Sequence, residues 1–245
     1  MTAPPPDDIR RGAAPRAVLF DLFHTLLCLR PGGDLDEPTW QALGLSQRAW
    51  EESFFQDHDG RATGRVRDAV ESVRLVAHRI DATIPLERIR AAAAQRARRF
   101  EEAFRDVEPG VLRGLARLRD AGVRLGLVSN ASWEEIEHWE RSPLASYFEE
   151  AVFSCAVGVA KPDAAIYEHA LGRMRVDAAD AWFVGDGGSD EHRGARAVGM
   201  RPVLVLHLLR RVWPEQVAAR ARHADLVLED IEDVAAAVAR CAGRR

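Results

Sequence analysis

Cysteine is scarce in this chain. Cys28, Cys155 and Cys241 are odd in number and lie far apart. That excludes a disulfide framework of the kind that staples small secreted domains, and no metal-ligand spacing links the three. They suit a reducing cytoplasm. Long apolar runs are missing as well, since none approaches the ~20 residues needed to cross a bilayer. The opening MTAPPPDDIRRGAAP (1–15) has no apolar core of a signal peptide and reads as a short, proline-rich, disordered tail. There is no surplus of positive charge. The net charge of −4 gives no basic footprint for nucleic acid or for an anionic membrane. Lysine is the scarcest of the basic residues: Lys161 is the one lysine among 34. An ammonium is a compact point charge, whereas a guanidinium is a broad planar fork. Chance survival on the surface is the plain explanation for a lone lysine. Its setting in Gly-Val-Ala-Lys-Pro, just after an apolar strand, weighs against chance.

What the chain does contain is ordinary for a globular enzyme: 245 residues, 47% hydrophobic and 29% charged. That length allows one large domain, or one carrying a smaller one. AVLFDLF (17–23) is a continuous apolar run broken by one aspartate, the pattern of a buried parallel strand. VRLGLVSN (123–130), AVFSCAVG (151–158), AWFVGD (181–186) and PVLVL (202–206) repeat it, and ADLVLED (224–230) reads as a last, edge strand. Amphipathic helices are expected between them. One runs from Pro109 to a Gly122 cap. A capping box of Ser132 and Glu135 announces another. Asp163 is expected to cap a third, and Gly199 to end a fourth. Strands alternating with helices imply a doubly wound α/β fold with a parallel, Rossmann-like sheet.

Residues 30–107 break this rhythm. Val66, Val70, Val73, Val76 and Ile80 fall at helical spacing, as do Leu86, Ile89, Ala93, Phe100 and Phe104. With Trp40, Trp50, Phe54 and Phe55, they describe a helical insert between the first and second strands. The core is therefore assigned to 16–29 and 108–245.

In an open α/β sheet, ligands bind beyond the C-terminal ends of the strands. Asp21, Phe23 and Thr25 follow the first strand and Ser129 and Asn130 the second. Lys161 follows the third, and Asp186, Gly187, Gly188, Ser189 and Asp190 the fourth. Carboxylates converging in a cleft repel one another, a divalent cation relieves this, and hard oxygen ligands select magnesium. Lys161 adds a positive charge, while Ser129 and the glycine-rich turn add donors for an anion. Such parts suit phosphoryl transfer, in which catalysis is mostly positioning and charge stabilisation. A carboxylate can also act as the covalent nucleophile.

FDLFHTLL (20–27), LVSN (127–130), GVAKPDAAIY (158–167) and FVGDGGSD (183–190) resemble motifs one to four of the haloacid-dehalogenase superfamily. The resemblance spans the chain and includes a helical cap inserted after motif one. It implies a hydrolase with Asp21 as nucleophile and metal ligand, and with the backbone carbonyl of Phe23 as a second ligand. Thr25 and Ser129, with Asn130, would serve a small phosphorylated substrate. Lys161 would balance charge, Asp186 would bind Mg2+, and Asp190 would bind it directly or through water.

One position departs from the pattern. Phosphatases of this superfamily usually carry Asp-x-Asp-x-Thr in motif one, and the second Asp transfers protons. Phe23 stands there and cannot. Three readings follow. The first is a phosphohydrolase whose leaving group needs no acid, or one helped by another group such as the adjacent His24. The second is a relative of the 2-haloacid dehalogenases, which also carry an aromatic residue there but lack the Gly-Asp pair of motif four. The third is a non-catalytic protein that binds a phosphorylated ligand or a partner. Arg61, Arg65 and Arg67 in the insert are candidates to meet an anionic part of the substrate. The oligomeric state is not legible.

Overall fold

The structure, a computed structural model, describes residues 14–29, 38–56 and 60–243. The proline-rich tail therefore lies outside the described residues, apart from Ala14 and Pro15. One sheet is built from β1 (Ala17–Phe20), β2 (Arg124–Ser129), β3 (Glu150–Phe153), β4 (Ala181–Gly185), β5 (Arg201–Val205) and β6 (Leu226–Leu228). All neighbours are parallel, in the order β3-β2-β1-β4-β5-β6. This is the doubly wound sheet expected from the alternation of strands and helices.

The helices are, in chain order, α1 (Thr39–Ala42), α2 (Gln47–Phe55), α3 (Ala69–Ile80), α4 (Leu86–Arg105), α5 (Pro109–Asp120), α6 (Ser154–Val157), α7 (Ala164–Met174), α8 (Glu191–Ala197), α9 (Leu209–Val212), α10 (Val217–Ala221) and α11 (Ile231–Ala242). Those from α5 onward cover both faces of the sheet, which is why the strands are apolar apart from end positions such as Arg124, Ser129, Glu150 and Arg201. Val18 and Phe20 of β1 face the layer of α5 and α11, where Leu115, Leu118, Val234 and Val238 are buried. Ala17 and Leu19 face the layer of α7 and α8, with Ile166, Ala170, Met174 and Ala195. The switch between layers at every residue is the period of two of a strand.

The fold places the site through its topology. Phe20 of β1 lies opposite Leu127 of β2 on one side and Val184 of β4 on the other. The chain winds outward from β1 through β2 to β3, then returns to the other side of β1 as β4. A crevice opens at such a switch point. Residues 21 and 186, each one step past its strand, sit at its mouth.

Helices α1 to α4 share an apolar cluster of their own, with Leu43, Trp50, Val73, Val76, Ile89 and Ala93. Not every aromatic of this segment belongs to it, as Phe55 is 65% exposed. Ser46 and Asp68 cap α2 and α3, each accepting a backbone N–H with its side chain. No described helix is long and apolar enough to cross a membrane.

Two elements differ from their sequence patterns. The run 151–158 is a strand only to Phe153 and then turns into α6. The Ser154 hydroxyl accepts from the Ala131 N–H at 3.0 Å and donates to the Ala131 carbonyl at 3.3 Å. These bonds tie the chain to the end of β2 instead of continuing the ladder. Of the capping box only the Glu135 half forms, its Oε2 accepting the Ser132 N–H at 2.8 Å, and only short 3-10 turns follow at 133–135 and 139–141. Glu134 is held across the segment boundary by the Ser72 hydroxyl, and Glu135 by the Arg96 guanidinium. Helix α8 meets the loop after β3 at Gly194, where a Cβ would lie 2.6 Å from the Pro162 carbonyl oxygen and 2.7 Å from the Tyr167 ring. Gly194→Ala is therefore expected to cost about 1–3 kcal/mol through overpacking. A thermal melt should register this as a fall in Tm of roughly 2–12 °C, whereas an unchanged Tm would mean the loop yields freely.

Candidate active site

Asp21 follows β1 and is buried. Its Oδ2 accepts the Thr25 hydroxyl at 2.9 Å, made possible by a tight turn over residues 22–27 that carries Thr25 back to it. Its Oδ1 accepts the Lys161 ammonium at 2.5 Å. Lys161 reaches over from the loop after α6, and its Nζ also donates to Glu191 Oε2 at 2.6 Å. Carboxylate oxygens of Asp21, Asp186 and Glu191 lie within 4.8 Å of one another, all buried. The site thus gathers three carboxyl groups around the chain's one lysine.

The physical chemistry of this cluster is that of a site short of positive charge. Burial opposes the charge on Lys161, but Asp21 and Glu191 outweigh it and raise its pKa, so the ammonium stays charged. Burial pushes the Glu191 carboxyl up to about 8, with Lys161 pulling the other way. Burial likewise pushes Asp186 up to about 6 against the pull of Arg220. Hard, anionic oxygens that repel one another are the donor set that fits a divalent cation of the magnesium type. Shifted carboxyls in a cleft are also a common mark of a functional site.

The sequence-predicted residues fall into two groups. Asp21, Thr25, Lys161 and Asp186 are brought together. Asn130 joins them indirectly: its side-chain amide donates to the Lys161 carbonyl at 2.9 Å and accepts the Lys161 N–H at 2.7 Å. That two-point clamp positions the backbone from which the ammonium reaches. Ser129 is fully buried, and its hydroxyl lies 3.4 Å from the Asn130 carbonyl. Asp190 is not in the cluster. It is exposed and pairs with Arg193 one turn along at 3.2 Å, while the next residue, Glu191, points inward. Ser189 and Asp190 both have left-handed backbone, with φ near +52° and +51°, and this rotates the chain by one residue. Glu191 Oε1 accepts the Gly187 N–H at 2.8 Å, and Gly185 leaves it room, since a Cβ there would lie 2.1 Å from that oxygen. A readable signal existed: Glu191, Gly194 and Ala195 fall on one face of a helix, with the two small residues inward.

Phe23 is half-buried, its ring edge-on to Phe100 at 5.5 Å and to Phe104 at 6.5 Å, both on α4. His24 packs edge-on to Trp213 with ring centroids 4.6 Å apart, and burial lowers its pKa to about 4. Burial thus favours the neutral form of the His24 ring. Of the three candidate arginines, Arg61 is buried, lies over the Phe54 ring at 4.1 Å and lines the cleft that also holds Asp21. Arg65 and Arg67 are exposed, and Arg67 lies over Trp133 at 4.5 Å. The cleft holds about 1200 Å³ between the strand ends and the aromatic side chains of α2 and α4. Arg220 of α10, which no local pattern marks, donates to Asp186 Oδ2 at 2.5 Å.

Comparisons with known proteins agree with this geometry. The sequence profile of haloacid dehalogenase-like hydrolases matches residues 15–199. A phosphoglycolate phosphatase of Cupriavidus necator is 33% identical over 192 residues, 77% of this chain and 80% of that protein. A glyceraldehyde 3-phosphate phosphatase of Pyrococcus abyssi is 37% identical over 98 residues, 39% of this chain; the match spans only 40% of that relative's length. A 2-haloacid dehalogenase from Pseudomonas syringae superposes with a TM-score of 0.60 at 24% identity, covering 93% of this chain and 99% of that one. Its likeness extends to the fold alone. An aspartate poised at the switch point of a doubly wound sheet, a profile that spans most of the chain and relatives that are phosphatases together make this chain a hydrolase of the haloacid dehalogenase-like family.

Proposed function

We propose that the protein is a magnesium-dependent phosphohydrolase that acts on a small phosphorylated metabolite through an aspartyl-phosphate on Asp21, without the usual general-acid carboxylate. One observation carries this reading: the Asp21 carboxylate is anchored by Lys161 and Thr25 inside the same cluster as Asp186 and Glu191. The substrate's phosphoryl group enters beside Asp21. One Asp21 oxygen bonds to phosphorus while the bond from phosphorus to the leaving oxygen breaks and its electron pair stays on that oxygen. Lys161 offsets the charge of nucleophile and phosphoryl group. Water then bonds to phosphorus, the bond to Asp21 breaks with its electron pair restoring the carboxylate, and phosphate departs with the water's oxygen and both its protons, one of which passes to solvent. Ser129 is assigned to the phosphoryl oxygens, since the Gly187 and Gly188 N–H groups already donate to Glu191 and Asp186. Magnesium, held by Asp21, Asp186, the Phe23 carbonyl and Glu191, with Glu191 taking the part first given to Asp190, would neutralise charge on those oxygens. The helices of 30–107 act as a cap over a core formed by 16–29 and 108–245. The phosphatase relatives support the reaction class. The haloacid reading gains nothing from the fold, because one fold hosts many chemistries.

The test is hydrolysis of acetyl phosphate and 4-nitrophenyl phosphate with magnesium and with excess chelator. Chelation should lower the rate at least about tenfold, and Asp186→Asn should weaken metal binding by calorimetry. Full turnover of a 2-haloacid in chelator would move the assignment to a dehalogenase. Failure to turn over any phosphate ester or acyl phosphate would leave a ligand-binding relative.

A further inference from the structure

Arg220 lies where the carboxylate cluster needs a cation. Its Nη1 donates to Asp186 Oδ2 at 2.5 Å and to the Asp186 carbonyl at 3.1 Å. The pair is nearly closed to solvent, with side chains 14% and 7% exposed. Asp186 Oδ1 accepts the Gly188 N–H at 2.8 Å, so both oxygens of this carboxylate are engaged by the protein. The arginine is itself held. Gln216 Oε1 accepts its Nε at 3.1 Å and its Nη2 at 2.7 Å, and the guanidinium lies 5.1 Å from the Trp213 ring centroid. The glycine pair after Asp186 makes the approach possible. Gly187 has φ +82°, and a Cβ there would lie 3.0 Å from Arg220 Cβ. The Gly187–Gly188 turn thus does more than present amides, because it admits a cation from α10.

Charge explains the consequence. Three carboxyl groups, of Asp21, Asp186 and Glu191, face two cationic side chains, Lys161 and Arg220. A divalent ion that takes Asp186 as a ligand meets a guanidinium on the same oxygen. A ligand whose competent state is only partly populated binds more weakly by that fraction. We propose that Arg220 is a metal-gating residue: its guanidinium holds Asp186 when no divalent ion is present, and must yield that oxygen for the ion to bind. The proposal rests on the metal-dependent reading above and adds a residue that competes with the metal.

The experiment is Mn2+ binding, followed by electron paramagnetic resonance and by calorimetry, on the full chain and three variants, with circular dichroism as the folding control. Arg220→Gln should tighten Mn2+ binding about 10–100-fold, the gain expected if the arginine leaves Asp186 free about 1–10% of the time. Removing a positive charge would by itself favour a cation, so the deciding variant is Gln216→Ala, which keeps the charge and loosens the fork. It should also tighten binding, by several-fold. Arg220→Lys, with charge but no fork for Gln216, should fall between wild type and Arg220→Gln. Tighter binding in Arg220→Gln alone, with Gln216→Ala equal to wild type, would reduce Arg220 to a general electrostatic effect and overturn the gate. Wild-type affinity in folded Arg220→Gln would overturn the gate and leave the metal reading standing. Absence of Mn2+ binding in all four proteins would overturn both.

Discussion

Asp21→Asn should lower turnover at least about 10⁴-fold while the protein stays folded. The amide matches the carboxylate in shape but does not attack phosphorus. The surroundings tolerate it. The amide oxygen can accept Lys161 where Oδ1 does now, and the amide nitrogen can donate to the Thr25 hydroxyl in place of Oδ2. Lys161 keeps Glu191 as a carboxylate partner at 2.6 Å, so no buried charge is stranded, the condition that makes broken buried pairs costly. Rapid quenching with phosphorus-labelled acetyl phosphate should yield a phosphoprotein labile to hydroxylamine in wild type and none in the variant. A labelled variant, or turnover within tenfold of wild type, would remove Asp21 as the nucleophile. Loss of both activity and near-ultraviolet dichroism would point instead to a structural role.

Phe23→Asp should raise the rate on simple alkyl phosphates by about 10–10³-fold, the range of a well-placed general acid. It should change the rate on aryl and acyl phosphates little. The reason lies in the leaving group: an alkoxide departing without a proton is a high-energy species, whereas a phenolate or carboxylate is not. Wild type should therefore prefer aryl and acyl phosphates steeply. The substitution also removes an apolar ring packed against Phe100 and Phe104. Some stability will be lost, by up to about 3 kcal/mol, the low end for a fully buried phenylalanine. The rates must be read on protein shown to be folded. If wild type is insensitive to the leaving group and the folded variant gains nothing, another residue already supplies the proton. His24 is a poor candidate, since burial holds it neutral with a pKa near 4.

The two kinds of relative point to different leaving groups. The curated phosphatases resemble the chain in sequence, while the dehalogenase superposes on its fold. On the proposed reading, the Asp186 and Glu191 carboxyls beside Asp21 would hold the metal that offsets the charge of a phosphoryl group. A departing halide has no use for it. The leaving-group profile therefore tests the choice between them more directly than any structural likeness.

The sheet was legible because its information is local. Runs such as AVLF and AWFVG are apolar at every position, as strands buried on both faces must be, and helices capped by Asp163 or ended near Gly122 announce themselves within a dozen residues. The positions after strand ends led to Asp21, Thr25, Lys161 and Asp186 for the same reason: a parallel sheet brings the C-terminal ends of its strands to one edge. The single lysine in an arginine-rich chain drew attention to position 161 before any geometry did. Tertiary structure decided the rest. Asp190 and Glu191 are adjacent carboxylates, and only the left-handed backbone at Ser189 and Asp190 selects which one turns inward. The Ser132–Glu135 pattern forms only its Glu135 half and no regular helix follows, while Arg96 and Ser72, from a distant part of the chain, hold Glu135 and Glu134. Asn130 clamps the backbone of Lys161, 31 residues away, and Arg220 reaches Asp186 across 34. Such pairs leave no periodicity or spacing in the sequence, since their meeting depends on how separate elements pack, and packing is a property of the whole core.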